Sequence, residues 1–203
     1  LGSLYHAMPL VLMSPLAFLS RPGVWLRAIS RHRGTLSAAP NFAYELVARK
    51  LPDAELEGLD LWSWRLAFNG AEPVIPATLE AFAQRLGPVG FRSTVMTPVY
   101  GLAECSVGLA IPPLERGPRI DAIDRDSFAR ERRAVPVDPD AVSAMRVPAC
   151  GRPLPGHEVR IVDDAEHELT ERKVGRLQFR GPSATRGYYR NPEATRRLVR
   201  GSW

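Results

Sequence analysis

Phe68-Asn69-Gly70-Ala71-Glu72-Pro73 and, one helix pattern later, Tyr100-Gly101-Leu102-Ala103-Glu104 decide how this chain reads. Each sets a glycine and an acid directly after a stretch that reads as a buried strand, residues 65–68 and 94–99. Between them, residues 76–86 place Leu79, Phe82 and Leu86 on one helical face, and Gly87 stops the pattern. Strand, helix and strand in that order predict a parallel sheet. In an open α/β sheet, ligands bind just past the carboxyl ends of the strands. Glycine permits close approach to the backbone. Tyr100 offers a flat face to a ring, and Glu104 offers a hard oxygen suited to Mg²⁺. Together these features suit a nucleotide.

Working outward, residues 9–13 read as a buried strand, within an apolar run from Ala7 to Leu19. Residues 22–33 read as a helix with Trp25, Leu26 and Ile29 on one face, Ser20 near its cap and Pro22 in its first turn. Residues 35–39 form a strand of small residues. Pro40-Asn41 then opens a helix to about Leu51, with Phe42, Leu46 and Val47 turned inward. The style changes after Pro112. Residues 113–149 are charged, proline-rich and poorly periodic, as an insertion or inter-subdomain segment would be. Residues 157–162 and 175–179 alternate as strands of a long hairpin. Asn191-Pro192-Glu193 opens a last helix by cap, first-turn proline and first-turn acid. The expected class is α/β. A partial doubly wound sheet subdomain covers residues 1–112, a connecting segment covers 113–149, and a smaller β-rich, barrel-like subdomain with the start of a terminal helix covers 150–203.

Composition narrows the function. The chain has 203 residues, 45% hydrophobic and 24% charged, in the range of globular proteins. A net charge of +5 invites a nucleic-acid reading, but the basic residues are dispersed. Residues 115–140 carry six arginines against seven acids, whereas a phosphate-backbone patch is one-signed and clustered. The cluster Arg196, Arg197 and Arg200 suits a solvated helix end favoured by the dipole. No nucleic-acid partner is expected. Cys105 and Cys150 make no disulfide framework, and no Cys/His spacing matches a zinc site. Reduced thiols and a cytoplasmic location follow. The run from Ala7 to Leu19 is too short for a membrane span and is broken by Pro9 and Pro15.

Asn69-Gly70-Ala71-Glu72-Pro73 followed by Tyr100-Gly101-Leu102-Ala103-Glu104 resembles the adenine- and Mg-binding motifs of the adenylate-forming enzymes, the acyl-CoA synthetase and ligase superfamily. The likeness continues in order through Gly151-Arg152-Pro153-Leu154-Pro155-Gly156, residues 175–182 and residues 187–195. The YGLAE form, with Ser37-Ala38-Ala39-Pro40-Asn41-Phe42-Ala43-Tyr44 upstream, is most similar to the fatty-acyl-AMP ligase branch. Ala103 departs from the superfamily, which usually has Thr there. That removes a hydroxyl and leaves only backbone N–H groups for a phosphate.

The resemblance implies activation of a fatty or other carboxylic acid by ATP with Mg²⁺, giving acyl-AMP and pyrophosphate. An acyl carrier protein or CoA would be the acceptor. It implies that Asn69, Gly70, Ala71 and Glu72 line the adenine pocket, that Tyr100 packs on the ring within Tyr100, Gly101, Leu102 and Ala103, and that Glu104 holds the metal as the catalytic acid. Asn41, Phe42 and Tyr44 would border the acyl pocket. It also implies a phosphate loop, a ribose-binding Asp and a mobile C-terminal domain with a catalytic Lys. None of these lies within the 203 residues, so the chain reads as an internal fragment, inactive in isolation.

Plainer readings stand beside these. Gly70 suits a tight turn with Glu72 as a first-turn acid, Tyr100 a core aromatic, Glu104 a surface acid, and residues 37–44 ordinary core packing. Gly181-Pro182 and Gly187-Tyr188-Tyr189 suit turns and packing. Cys105, beside the acid but without a base partner, suits a small buried filler. Three functions remain in play: an acyl-AMP ligase, an acyl-CoA-forming ligase with segment 113–149 as the feature that separates them, and a non-catalytic binding or structural module.

Overall fold

The periodicities of the first hundred residues resolve into strands and helices close to the expected positions. The computed structural model describes residues 2–203 and divides into two units, one of residues 2–96 with 114–117, the other of residues 97–113 with 118–203.

In the first unit, α1 (Gly2–Tyr5), α2 (Pro15–Ser20) and α3 (Gly23–His32) precede β1 (Leu36–Ala39), α4 (Asn41–Lys50), β2 (Leu66–Asn69) and α5 (Pro76–Leu86). The strands β1 and β2 are parallel, with Ser37 opposite Ala67 and Ala39 opposite Asn69. The third strand, β3 (Met96–Pro98), follows in the order β1-β2-β3. The helix α4 is the crossover between β1 and β2 and packs against α5. A parallel connection needs such a crossover.

The core of this unit is aromatic. Trp25 of α3, Tyr44 of α4, Trp64 and Phe82 of α5 are buried, and Phe91 joins them. Their rings meet edge to face, at 4.9 Å for Tyr44–Phe82, 5.3 Å for Trp25–Trp64 and 5.0 Å for Phe82–Phe91. Such pairs contribute about 0.5–1.5 kcal/mol beyond the area they bury. The polar ends are satisfied: Trp25 Nε1 donates to Ser37 Oγ at 2.9 Å and Trp64 Nε1 to the Leu66 carbonyl at 2.8 Å.

Two local expectations fail. Residues 9–13 form no strand, and the run around them lies exposed, Leu12 at 81%. Apolar composition marks what a segment would cover, but a strand also needs a pairing neighbour, and no ladder includes these residues. Phe42 does not face inward; it is 48% exposed, while Asn41, Ala43, Tyr44 and Val47 form the buried face of α4. Phe42 lies about 200° around the helix from Tyr44, which is fully buried, so Phe42 turns outward.

In the second unit the strands are β4 (Ala110–Ile111), β5 (Ile120–Asp124), β6 (Ala144–Pro148), β7 (Arg152–Pro153), β8 (Glu158–Val162) and β9 (Arg176–Arg180), with α6 (Arg125–Glu131) and α7 (Pro192–Leu198). They pair as separate antiparallel ladders, β4 with β7, β5 with β6 and β8 with β9. The described residues thus form a β-rich unit without a closed barrel. The long hairpin of β8 and β9 matches expectation. Segment 113–149 carries ordered structure of its own, since β5 and β6 pair along their full length around α6.

Asp124 ends β5 and caps α6, its side chain accepting from the Ser127 N–H at 2.8 Å. The Ser127 backbone bond, then the Ser143 and Ser127 hydroxyls, hold its carboxyl below the usual range. A carboxylate lowered on folding stabilises above its unfolded pKa, near 3.9, and loses that contribution as pH falls through the lower folded value. Asp124→Ala is therefore expected to lower the melting temperature at pH 7, with the gap from wild type narrowing as the pH falls below about 3.9. Thermal melts across an acid pH series check this.

Candidate active site

The first motif sits where the sequence places it, directly after β2. Asn69 and Gly70 are buried, and Ala71 and Glu72 are exposed. The left-handed residue of this turn is Ala71, at φ 69°. Glu72 does not serve the first turn of α5. Its Oε1 accepts the Phe42 N–H at 2.6 Å, at the start of α4, where unpaired amides and the helix dipole favour an anion.

Asn41, at the start of α4, is 3% exposed. Its Oδ1 accepts from Asn69 Nδ2 at 3.3 Å and from the Ile75 N–H at 3.1 Å, and its Nδ2 donates to Thr78 Oγ1 at 3.3 Å. One side chain thus ties α4, β2, the motif loop and α5 together. Tyr44 is fully buried and donates to the Phe68 carbonyl at 2.7 Å. Burial pushes its phenol well above the usual range. Of the three residues expected at an acyl pocket, Phe42 alone presents an open face.

The second motif forms a loop of the second unit. Tyr100 closes it, accepting from the Ala110 N–H at 2.9 Å and donating to the Ala110 carbonyl at 3.1 Å. Inside, Ala103–Cys105 make a 3₁₀ turn, and Ser106 (φ 48°) and Val107 (φ 80°) take left-handed backbone. A Cβ on Gly101 would overlap the Val107 carbonyl, so glycine is required there by the loop itself. Tyr100 is 43% exposed, which removes the core-aromatic reading. A cavity of about 460 Å³ adjoins the loop within this unit; Tyr100, Leu102 and Glu104 line it together with Phe179, Thr185 and Trp203. Arg160 and Arg180 lie over the Trp203 ring at 4.2 and 4.5 Å.

Glu104 is held by groups that sequence reasoning missed. Tyr188 Oη donates to Glu104 Oε1 at 2.5 Å, and the Thr185 N–H donates to the Glu104 carbonyl at 2.7 Å. The Tyr188 bond is the main reason that the Glu104 carboxyl lies below its usual range, and the same bond raises the Tyr188 phenol. Cys105 is the buried filler expected, 1% exposed. Its Sγ is 3.3 Å from Ser183 Oγ, which lies 2.7 Å from His157 Nε2.

The comparisons bear on this geometry. The family model of the AMP-binding enzymes matches residues 1–189. The chain belongs to that family. It is 34% identical to the medium-chain-fatty-acid–[acyl-carrier-protein] ligase TtuA of Teredinibacter turnerae, across 97% of this chain and 30% of that protein. It is 39% identical to the 4-hydroxyphenylalkanoate adenylyltransferase of Mycobacterium marinum, across 92% of this chain and 30% of that protein. Among solved structures, it matches the fatty acyl-adenylate ligase from L. pneumophila in complex with acyl adenylate and pyrophosphate. That match has a TM-score of 0.89 and 33% identity, and covers 95% of this chain and 33% of the other. The chain thus spans about a third of the length of the relatives it matches. Among its described residues no helix is long and apolar enough to cross a membrane.

Proposed function

We propose that this chain is the central part of a ligase that activates a fatty or other carboxylic acid with ATP. A carboxylate oxygen attacks the α-phosphorus, the bond from that phosphorus to pyrophosphate breaks, and acyl-AMP and pyrophosphate result. The observation that carries the reading is the fixed carboxylate of Glu104, set in the loop after β3 on the wall of a cavity. The relatives' names, and the acyl adenylate and pyrophosphate bound to a similar ligase, support the same reaction.

Mg²⁺ fits the donor set. No group of three or more His, Cys, Asp and Glu that could hold a metal occurs among the described residues. Mg²⁺ typically takes one or two protein carboxylates beside substrate phosphates and water, which a single acid can satisfy. Glu104 would hold it, and bound there it would neutralise phosphate charge. The chain's own residues do the positioning. Within the second unit the half-exposed Tyr100 offers its ring to the adenine, and within the first Phe42 offers apolar surface to the acyl chain. Bound geometry of this kind can remove roughly 7–11 kcal/mol of barrier. Both cysteines are free, which supports placing the reaction in the reducing cytoplasm.

The branch follows from the acceptor. With ATP, Mg²⁺ and a fatty acid, acyl-AMP is expected to accumulate in the intact protein, CoA is expected not to raise turnover, and an acyl carrier protein is expected to take the acyl group. Chromatography of the products checks this. Acyl-CoA as the main product would assign the CoA-forming branch, and no pyrophosphate release at all would leave a binding module.

A further inference from the structure

Residues 183–188 are laced onto the loop that carries Glu104. Besides the Thr185 and Tyr188 bonds, Ser106 Oγ donates to the Ser183 carbonyl at 3.3 Å. Ser183 Oγ lies 3.3 Å from both the Cys105 carbonyl and Cys105 Sγ. His157 Nδ1 is 3.2 Å from the Pro155 carbonyl. The Ser183 hydroxyl donates to the Cys105 carbonyl, and His157 Nε2 lies 2.7 Å from the same Oγ, so these side chains tie the strap to the Glu104 loop.

The strap's far end is equally fixed. The Tyr188 N–H donates to Thr195 Oγ1 at 2.9 Å, and the Gly187 N–H to Thr185 Oγ1 at 3.2 Å. Gly187 takes φ 142°, and a Cβ there would overlap the Thr195 side chain, so glycine alone lets the strap turn at this point. The phenol of Tyr188 is thereby delivered to one carboxylate oxygen by a backbone anchored on both sides.

We infer that Tyr188 is a positioning residue for adenylation: its hydroxyl holds Oε1 of Glu104 and leaves Oε2 for a divalent cation, while Ser183 and His157 anchor the strap that delivers it. This rests on the reading of Glu104 as the cation-holding acid. A carboxylate on a rotating side chain loses conformational freedom when it binds a metal, and a hydroxyl that already fixes one oxygen reduces that loss. Tyr188 is itself 43% exposed and lies outside the buried core.

The test is Mn²⁺ binding to the intact protein in complex with a non-hydrolysable ATP analogue, followed by electron paramagnetic resonance. Wild type is compared with Tyr188→Phe, Glu104→Gln, the double variant and Ser183→Ala. Tyr188→Phe is expected to weaken Mn²⁺ binding about three- to ten-fold, the size of effect one hydrogen bond to a charged group produces. Metal-free analogue binding and the melting temperature should stay near wild type. The double variant should bind no more weakly than Glu104→Gln alone, because the hydroxyl acts only through that carboxylate. Ser183→Ala should shift Mn²⁺ affinity in the same direction by less. Unchanged or tighter Mn²⁺ binding in Tyr188→Phe, with Glu104→Gln impaired, would overturn the positioning role and leave Glu104 in place. Wild-type affinity in Glu104→Gln would overturn both. An unchanged Ser183→Ala would overturn the anchoring role of the strap.

Discussion

Glu104→Gln in the intact protein is expected to slow acyl-AMP formation by about 10²–10³-fold, the loss typical of one electrostatic stabiliser. Glutamine keeps the shape, and its amide oxygen can still accept from Tyr188, which holds this position at 2.5 Å. The charge is what disappears, and with it the attraction for Mg²⁺ at the phosphates. The melting temperature without nucleotide should barely move, because Glu104 is not part of the core. Raising Mg²⁺ should recover part of the rate if metal affinity is the defect. Pyrophosphate release measured across a Mg²⁺ series reads both effects. Wild-type turnover would make Glu104 a solvated acid, and a variant that fails to fold would make it structural.

The sequence signalled this loop but not its support. Gly101 and Glu104 after an apolar strand announce a ligand-facing turn in a few consecutive residues. Tyr188 lies 84 residues away from its partner, in a segment whose glycine and tyrosines suit any turn. A local pattern carries no information about which distant group will share a hydrogen bond. The helices α3, α4 and α5 were legible because one buried stripe repeats along each, as Trp25, Leu26 and Ile29 do in α3. The error at residues 9–13 has the opposite cause, since an apolar run without alternation reports hydrophobicity but not a pairing neighbour. The ladder of β5 and β6 was hidden because neither strand alternates: Ala122 and Ile123 are adjacent and both buried, and charged residues such as Asp121 and Arg146 blur the pattern.

The same contrast separates Asn41 from its expected role at an acyl pocket. Its amide is consumed by Asn69, Ile75 and Thr78, all inside the first unit. Asn41→Ala removes these bonds and strands their partners in a buried setting. Asn69 is most affected, because it is fully buried and its Oδ1 already lacks a partner in the chain. Each buried group left unpaired costs about 1–3 kcal/mol, and water entering the small gap would offset part of that. The expected loss is therefore about 2–4 kcal/mol of stability, larger than a solvent-exposed polar contact would give. For a chain of this size, that lowers the melting temperature by roughly 5–15 °C. Urea denaturation and thermal melts of Asn41→Ala beside Phe42→Ala decide the matter. If Asn41 is scaffolding, Asn41→Ala should lose stability while Phe42→Ala, at a half-exposed position of α4, should keep it and instead raise the KM for the acid. An Asn41→Ala chain as stable as wild type would return its amide to the substrate, since no structural load would then rest on it.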